Sequence, residues 1–462
     1  MEVEIISSET IKPSSFPQSL HLKSFKLSVL DQLSPFTYTS LVFFYTLNNE
    51  ELSNEDTALH LSQPLKTSLS KALSADFYLL AGTIKHNKQI LANGVGALYQ
   101  VARVQGAMSK VLNQPSFESL SQLLPFRSLQ IMSSSTKEAI YPQVAVQLNA
   151  FNGGGVAVGV CFLHKIIDGT TLSGFLRRWA AVAGGSAAEE KGGEGVAEYT
   201  VGAEAFPGRD SLLGNSWLSK GYSPFVGEGI RIKRRRFVFE GDAILELKEE
   251  LMKWKDVRNP TSVELVTAFI WKYLMIAARK RSSGSQQISS VLTHAVDLRR
   301  RMAPPLPPTS MGNILWSAVA HYDSTDDVEI ELSKLVNLLW ESFTEIDNKF
   351  IQEMEGEEGF QTISKWFMRM QELYSSKPYA YGFTSWRNMG LNDIDFGWGR
   401  PSWVSFAGPE NSVLKNIVVL KEDNLGDGIE AWIMLDEDEM NILENDQQFL
   451  AFASYNPTIY LG

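Results

Sequence analysis

The sequence has one cysteine, Cys161, among 462 residues. A single thiol excludes an intrachain disulfide and any multi-cysteine zinc or iron–sulfur cage. Long apolar runs are missing too. None approaches the ~18 residues that a membrane-spanning helix needs, and the nearest, "YTSLVFFYTL", reads as a buried strand. Basic residues are outnumbered: 42 Lys and Arg stand against 53 Asp and Glu, a formal net charge of −11. That balance argues against nucleic acid or an anionic membrane as the main partner. Any anionic ligand needs a local basic surface. The opening "MEVEIISSETIKPSSFP" shows no basic stretch leading into an apolar one, so no secretory signal is expected. A soluble globular protein of a reducing compartment, the cytoplasm, is the expectation.

What is present in quantity is core. Hydrophobic residues make up 44% of the chain, with 25 Phe, 14 Tyr and 11 Trp, which excludes a disordered or fibrous protein. The length suits two domains. Strand and helix signals alternate. "TYTSLVFFYTL" is a β-branched and aromatic run, and Leu65, Leu69 and Leu73 follow it at helical spacing. "YPQVAVQLNAFNGGGVAVGVCFLHKIIDG" reads as two strands joined by a turn at Gly153, Gly154 and Gly155. Helices are expected in "TTLSGFLRRWAAVAG", "DAILELKEELMKWK" and "SVELVTAFIWKYLMIAARK". A hairpin and then a helix are expected in "NIVVLKEDNLGDGIEAWIMLDEDEMNILEN". The class is mixed α/β. A Gly-, Ala- and Glu-rich stretch, 184–205, reads as a flexible crossover between an N-terminal half, 1–183, and a C-terminal half, 206–462. "SSGSQQ" reads as a surface loop, and the prolines of Pro304–Pro308 suggest a stiff extended connection.

One stretch carries chemistry. Along "VAVGVCFLHKIIDGTTLSGFLRRWA", Val156, Val158, Val160, Phe162 and His164 share one strand face, and Ala157, Gly159, Cys161 and Leu163 the other. Both faces are apolar, the mark of a buried central strand. Leu172, Phe175, Leu176 and Trp179 then form the apolar stripe of a helix. His164 and Asp168 fall in the bend between, a common place for active sites in α/β proteins. Plainer readings stand beside this one: a polar residue satisfied by a neighbour, or a helix N-cap at Asp168. A metal site at His164 and Asp168 lacks a third ligand nearby. A Cys161–His164 nucleophilic pair is disfavoured because odd spacing puts the two on opposite faces, so Cys161 reads as a small core hydrophobe.

"HKIIDG", with "DFGWG" at Asp395–Gly399, resembles the HxxxD and DFGWG signatures of the plant BAHD acyl-CoA-dependent acyltransferases. "KLSVLDQLSP", "VELVTAFIWK", "VDLRRRMAPPLPPTSMGN", "GFTSWRNMGLNDIDFGWGRP" and "GIEAWIMLDEDEM" agree, so the resemblance covers essentially the whole chain. "LSVLDQ" and "FTSW" look most like the branch that contains vinorine synthase. The resemblance implies two similar-sized domains like chloramphenicol acetyltransferase, with mixed sheets, a crossover loop and an active-site channel at their interface. It implies a monomer that uses acyl-CoA, in this branch acetyl-CoA, as co-substrate. The acceptor would be a hydroxyl of a specialised metabolite such as an alkaloid or terpenoid alcohol. No bound cofactor or metal is implied.

The implied mechanism is physically coherent. A histidine's ordinary pKa near 6.5 leaves much of it neutral, so His164 could take the alcohol's proton as its oxygen attacks the thioester, with no acyl-enzyme. By the family's pattern, Asp168 points away from substrate and pairs with an arginine of "VDLRRR", Arg299 first and Arg301 second. Asp395, Gly397, Trp398 and Gly399 support the fold. Thr384 and Trp386 approach the acceptor channel, and Ser262 lies near the CoA path. Core packing is the alternative for Trp386. The basic run Arg231–Arg236 is either a surface for CoA phosphates or a solvated edge strand. His21, His60, His86, His294 and His321 have no motif context and read as structural or exposed. "YLLAGT" departs from the family's usual "YPLAGR", with Leu79 for proline and Thr83 for arginine. A catalytically inactive relative acting as a partner or scaffold is the competing reading. Ester hydrolysis lacks a Gly-x-Ser-x-Gly elbow.

Overall fold

The computed structural model describes residues 1–15, 23–47, 54–74, 77–126, 141–185, 199–212, 223–227, 229–254, 258–282, 289–323, 329–408 and 413–460. Two mixed sheets organise them. One has six strands in the order Glu2–Ile11, Ala97–Gln105, Val144–Phe151, Val156–Leu163, Tyr38–Tyr45, Trp403–Ala407. The other has seven, in the order Leu315–Tyr322, Ser290–Asp297, Tyr379–Ser385, Ile417–Glu422, Ile429–Asp436, Ile232–Phe239, Ser454–Tyr455.

The centre of the first sheet is built by the apolar runs. Every residue of Val144–Phe151 and of Val156–Leu163 is buried, which requires neighbours on both faces and both edges. Val156–Leu163 pairs antiparallel with Val144–Phe151 on one side and with Tyr38–Tyr45 on the other. Gly159 marks where another backbone crosses its face, since a Cβ there would lie 1.9 Å from the Leu123 carbonyl oxygen. The helix Gly169–Ala183 buries Leu172, Phe175, Leu176 and Trp179, the expected stripe, against this sheet's core. In the second half, the helix Ser262–Arg281 opens with a capping box, Thr261 and Glu264 each bonding the other's backbone N–H.

The two halves are interlocked. Trp403–Ala407, from late in the chain, closes the first sheet by pairing with Tyr38–Tyr45, and Trp403 stacks on Phe44 with ring centres 5.4 Å apart. Its indole N–H reaches Glu430 of the second sheet at 3.1 Å, and Trp432 donates to the same carboxylate at 2.8 Å. Arg236 at 2.8 Å and Lys421 at 3.4 Å complete the cluster, with all three charged side chains at most 4% exposed. Burial pushes the Glu430 carboxyl up, but the two cations outweigh it and hold the group below its ordinary range. Removing that one anion strands two buried cations, so Glu430→Gln is expected to cost about 3 kcal/mol. An unchanged urea midpoint would contradict the reading of this cluster as an interlock between sheets.

Three expectations change. The stretch 184–205 is not all loop: Tyr199–Ala205 is a helix, because Tyr199 finds a buried site and a carboxylate partner at 3.0 Å. The proline-rich stretch folds into turns rather than an extended rod, with Leu306 N–H returning to the Arg299 carbonyl at 2.9 Å. The run Arg231–Arg236 is not an open cationic surface: Arg231 stays 87% exposed at the start of the strand, but carboxylates neutralise much of the run. Lys233 and Arg235 face Glu444 at 3.6 and 3.0 Å, Arg231 meets Glu437 at 2.8 Å, and Arg236 is in the buried cluster. Arg234, on the opposite face from Arg235, lies over the Phe117 ring at 5.1 Å. Of "SSGSQQ", residues 283–287 lie outside the described residues, as does His21. Among the described residues, no helix is long and apolar enough to cross a membrane.

Candidate active site

From Val156 to Asp168 every residue is buried except His164, which is partly exposed. The strand ends at Leu163, and His164 N–H bonds the Thr37 carbonyl at 2.7 Å, which holds the bend against the neighbouring strand's start. Asp168 takes the extended conformation of an N-cap and accepts from Thr171 N–H at 2.9 Å, so the helix begins there. An ionisable side chain is thus held by a rigid strand and helix at one accessible point.

Asp168 has a second function in the bend. Of the two arginines proposed for it, Arg299 makes the pair, with Nη1 to Oδ2 at 2.7 Å and Nη2 to Oδ1 at 3.2 Å, a bidentate geometry. Arg301 instead caps the carbonyls of Phe343 and Ile346. Arg299 is 2% exposed and also donates from Nε and Nη2 to the Ser310 carbonyl at 3.0 and 2.8 Å, from Nη2 to the Gly312 carbonyl at 3.0 Å and from Nη1 to Asp297 Oδ1 at 3.3 Å. Ile314 N–H donates to Asp168 at 3.1 Å. One buried ion pair therefore ties the bend of the first half to the segment 310–314 of the second.

That segment delivers a residue that sequence reasoning missed. Asn313 is 1% exposed, and its side-chain oxygen faces His164 Nδ1 at 3.1 Å. Its amide nitrogen uses both protons, one on the His164 carbonyl at 2.9 Å and one on Asp31 Oδ1 at 3.2 Å. An amide oxygen can only accept, so Nδ1 carries the proton and Nε2 keeps the lone pair. Asn313 stands at the end of "PPTSMGN", inside a stretch that carried the family resemblance. That was the only signal available, because the contact spans 149 positions.

The other candidate residues form separate groups. Asp395 Oδ1 accepts from the N–H groups of Gly397, Trp398 and Gly399 at 2.7, 2.9 and 2.9 Å, and Gly397 and Gly399 have φ of 99° and 91°. The loop is closed on its own carboxylate and pinned by Phe396 against Trp179, with ring centres 4.6 Å apart. It sits at the C-terminal end of the helix whose N-terminus is Asp168, about 20 Å away along a helix of that length. Thr384 lies on the strand Tyr379–Ser385 opposite Val419, which belongs to the core of the first half. Trp386 follows, 9% exposed and edge-on to Phe406. Ser262 opens the helix Ser262–Arg281 behind the Thr261 cap. His294 is buried, and burial pulls its pKa down to about 4.

Cys161 is fully buried, accepts a hydrogen bond from the Ser40 hydroxyl at 3.2 Å, and burial pushes its thiol up to about 12. A thiolate nucleophile is therefore not available at neutral pH. The native protein is expected to resist alkylation by iodoacetamide, and Cys161→Ala to keep its turnover. Rapid stoichiometric labelling with loss of activity would contradict that.

Residues 1–450 match the model of the transferase family. Akuammiline synthase 2 of Alstonia scholaris is 34% identical over 100% of this chain and 99% of its own length. The epi-neemfruitin B 7-O-acetyltransferase of Melia azedarach is 36% identical over 99% of this chain and 100% of its own. Among solved structures, vinorine synthase superposes with a TM-score of 0.79 at 30% identity, over 98% of this chain and 99% of its own. The fold alone extends to TRI101 of F. graminearum with coenzyme A and T-2 mycotoxin, with a TM-score of 0.66 at 16% identity, over 94% of this chain and 99% of that one. The full-length match, together with an HxxxD bend and a DFGWG loop each built as a structural unit, establishes that this chain belongs to the transferase family of BAHD acyl-CoA-dependent acyltransferases.

Proposed function

We propose that the protein transfers an acetyl group from acetyl-CoA to a hydroxyl of an alkaloid or terpenoid alcohol, with His164 as general base. The observation that carries this reading is the state of His164: partly exposed in an otherwise buried bend, with Nδ1 held by Asn313 and the Nε2 lone pair free to take a proton. The acceptor O–H bond breaks as Nε2 takes the proton and the oxygen attacks the thioester carbonyl. The tetrahedral oxyanion then collapses and expels CoA thiolate, which the imidazolium reprotonates. Both substrates are held in one complex, and no group on the protein is acylated.

The acetyl donor and the acceptor class rest on relatives. Limonoid acetyltransferases of Melia azedarach and Citrus sinensis and the stemmadenine O-acetyltransferase of Catharanthus roseus match nearly the whole chain at 32–36% identity. Asp168 and Arg299 hold the bend. Asp395, Gly397, Trp398 and Gly399 brace the helix behind it. Thr384 and Trp386 border the acceptor, and Ser262 lies on the CoA side. The two halves, 1–183 and 206–462, would meet around the substrates as a cytoplasmic monomer. Supplying acetyl-CoA with a panel of hydroxylated alkaloids and limonoids tests this by product mass. A product heavier by one acetyl group is expected, with longer acyl-CoA donors poorer. No product from any alcohol would favour the inactive-relative reading.

A further inference from the structure

Behind the imidazole and its amide lies a third group that the proposed mechanism does not use. Asp31, of the stretch "LSVLDQLSP" and the short helix Val29–Leu33, is 1% exposed. Its two oxygens serve different partners. Oδ2 accepts from Ser28 N–H and hydroxyl at 3.2 and 2.8 Å and from the Tyr199 hydroxyl at 3.0 Å, which is a helix cap tied to the crossover helix. Among the described residues, Oδ1 accepts from Asn313 alone, from its backbone N–H at 2.9 Å and its amide nitrogen at 3.2 Å. A capping role accounts for Oδ2 and leaves Oδ1 unexplained.

We infer that Asp31 is a positioning residue for the transfer reaction: its carboxylate fixes the orientation of the Asn313 amide, and through it the tautomer of His164. The inference rests on the reading of His164 as the base. An amide has two orientations of nearly equal shape, and a carboxylate, which can only accept, selects the one that presents N–H to it. With Asp31 and the His164 carbonyl both accepting from the nitrogen, the reversed amide would set its oxygen against two acceptors. The oxygen therefore stays on Nδ1, the ring proton stays on Nδ1, and Nε2 stays free. When Nε2 takes the acceptor's proton, the imidazolium forms one amide away from a buried anion. Outer-shell partners of this kind commonly change activity by about 10–100-fold, and a histidine locked in the wrong tautomer loses more.

The charged surroundings fit. Lys165, next to His164 and 1% exposed, donates to the Gln32 and Ser34 carbonyls at 2.9 and 2.7 Å, at the end of the Asp31 helix. Burial pulls its pKa down to about 7, and the nearby Asp31 carboxylate opposes that shift. Burial raises the Asp31 carboxyl, against the bonds from Asn313, Ser28 and Tyr199. The titratable groups facing Asp31 are thus Lys165 and Tyr199, with the Asp168–Arg299 pair on the far side of the same segment.

The test compares wild type, His164→Ala, Asp31→Asn and the double variant Asp31→Asn/Asn313→Asp, in kcat, KM for acetyl-CoA and melting temperature. Asp31→Asn, able to present its own N–H to Asn313, is expected to lower kcat on the order of 10²-fold with KM for acetyl-CoA unchanged. The double variant, which returns a carboxylate directly to Nδ1, is expected to recover part of that loss. Wild-type kcat in Asp31→Asn alongside an inactive His164→Ala would overturn this inference and leave the His164 reading intact. Full activity in His164→Ala would overturn both. Nitrogen-15 NMR of the histidine rings in the wild type needs no variant to fold: the Nδ1–H form of His164 is expected, and the Nε2–H form would contradict the orientation argued for.

Discussion

Replacing His164 by alanine is expected to lower kcat by about 10²–10⁴-fold, the usual worth of a general base, with little change in KM for acetyl-CoA. An alcohol is a poor nucleophile until its proton is removed, and within the bend 156–168 no other side chain is even partly exposed. Lys165 is adjacent but buried against two carbonyls, so it does not substitute. Residual activity above the uncatalysed rate is expected, because holding both substrates together contributes independently of the base. The check is steady-state kinetics of the two proteins with acetyl-CoA and an accepted alcohol varied in turn.

The second large effect is expected at Arg299. Arg299→Met leaves the Asp168 carboxylate buried without its bidentate partner and the Ser310 and Gly312 carbonyls without their donors. Breaking a buried pair from one side typically costs about 3–5 kcal/mol, a large part of the net stability of a domain. The effect on catalysis should exceed what unfolding explains. The lost arginine is what joins the segment carrying Asn313 to the bend carrying His164, so the still-folded fraction should also turn over more slowly. Urea unfolding and kcat corrected for the folded fraction separate the two effects. Arg301→Met, which removes only caps on the Phe343 and Ile346 carbonyls, should lose stability without that residual catalytic defect.

Much of this site could be read from local pattern. The strand Val156–Leu163 and the helix after it declare themselves through two periods, and the bend between them follows necessarily. Asp168 as an N-cap was also local, because Thr171 stands three residues on. The partner arginine came from the family resemblance, and the choice of Arg299 over Arg301 was decided by packing. What stayed hidden depends on long-range amide and carboxylate contacts, which leave no periodicity. Asn313 reaches His164 across 149 positions and Asp31 across 282. Tyr199 was lost for a different reason: a Gly-rich composition masked a seven-residue helix whose tyrosine is buried against Asp31. The basic run stayed open between two readings for a third reason, since charge count says nothing about the facing Glu430, Glu437 and Glu444.

Direct transfer from acetyl-CoA to an alcohol, assisted by His164, makes CoA release depend on the acceptor. Following CoA release in the presence and absence of an accepted alcohol, with the intact mass of the protein recorded in parallel, tests it. Release that depends on the alcohol, intersecting initial-velocity patterns for the two substrates and no gain of an acetyl mass on the protein are expected. A burst of CoA without alcohol, accompanied by an acetylated enzyme, would contradict direct transfer.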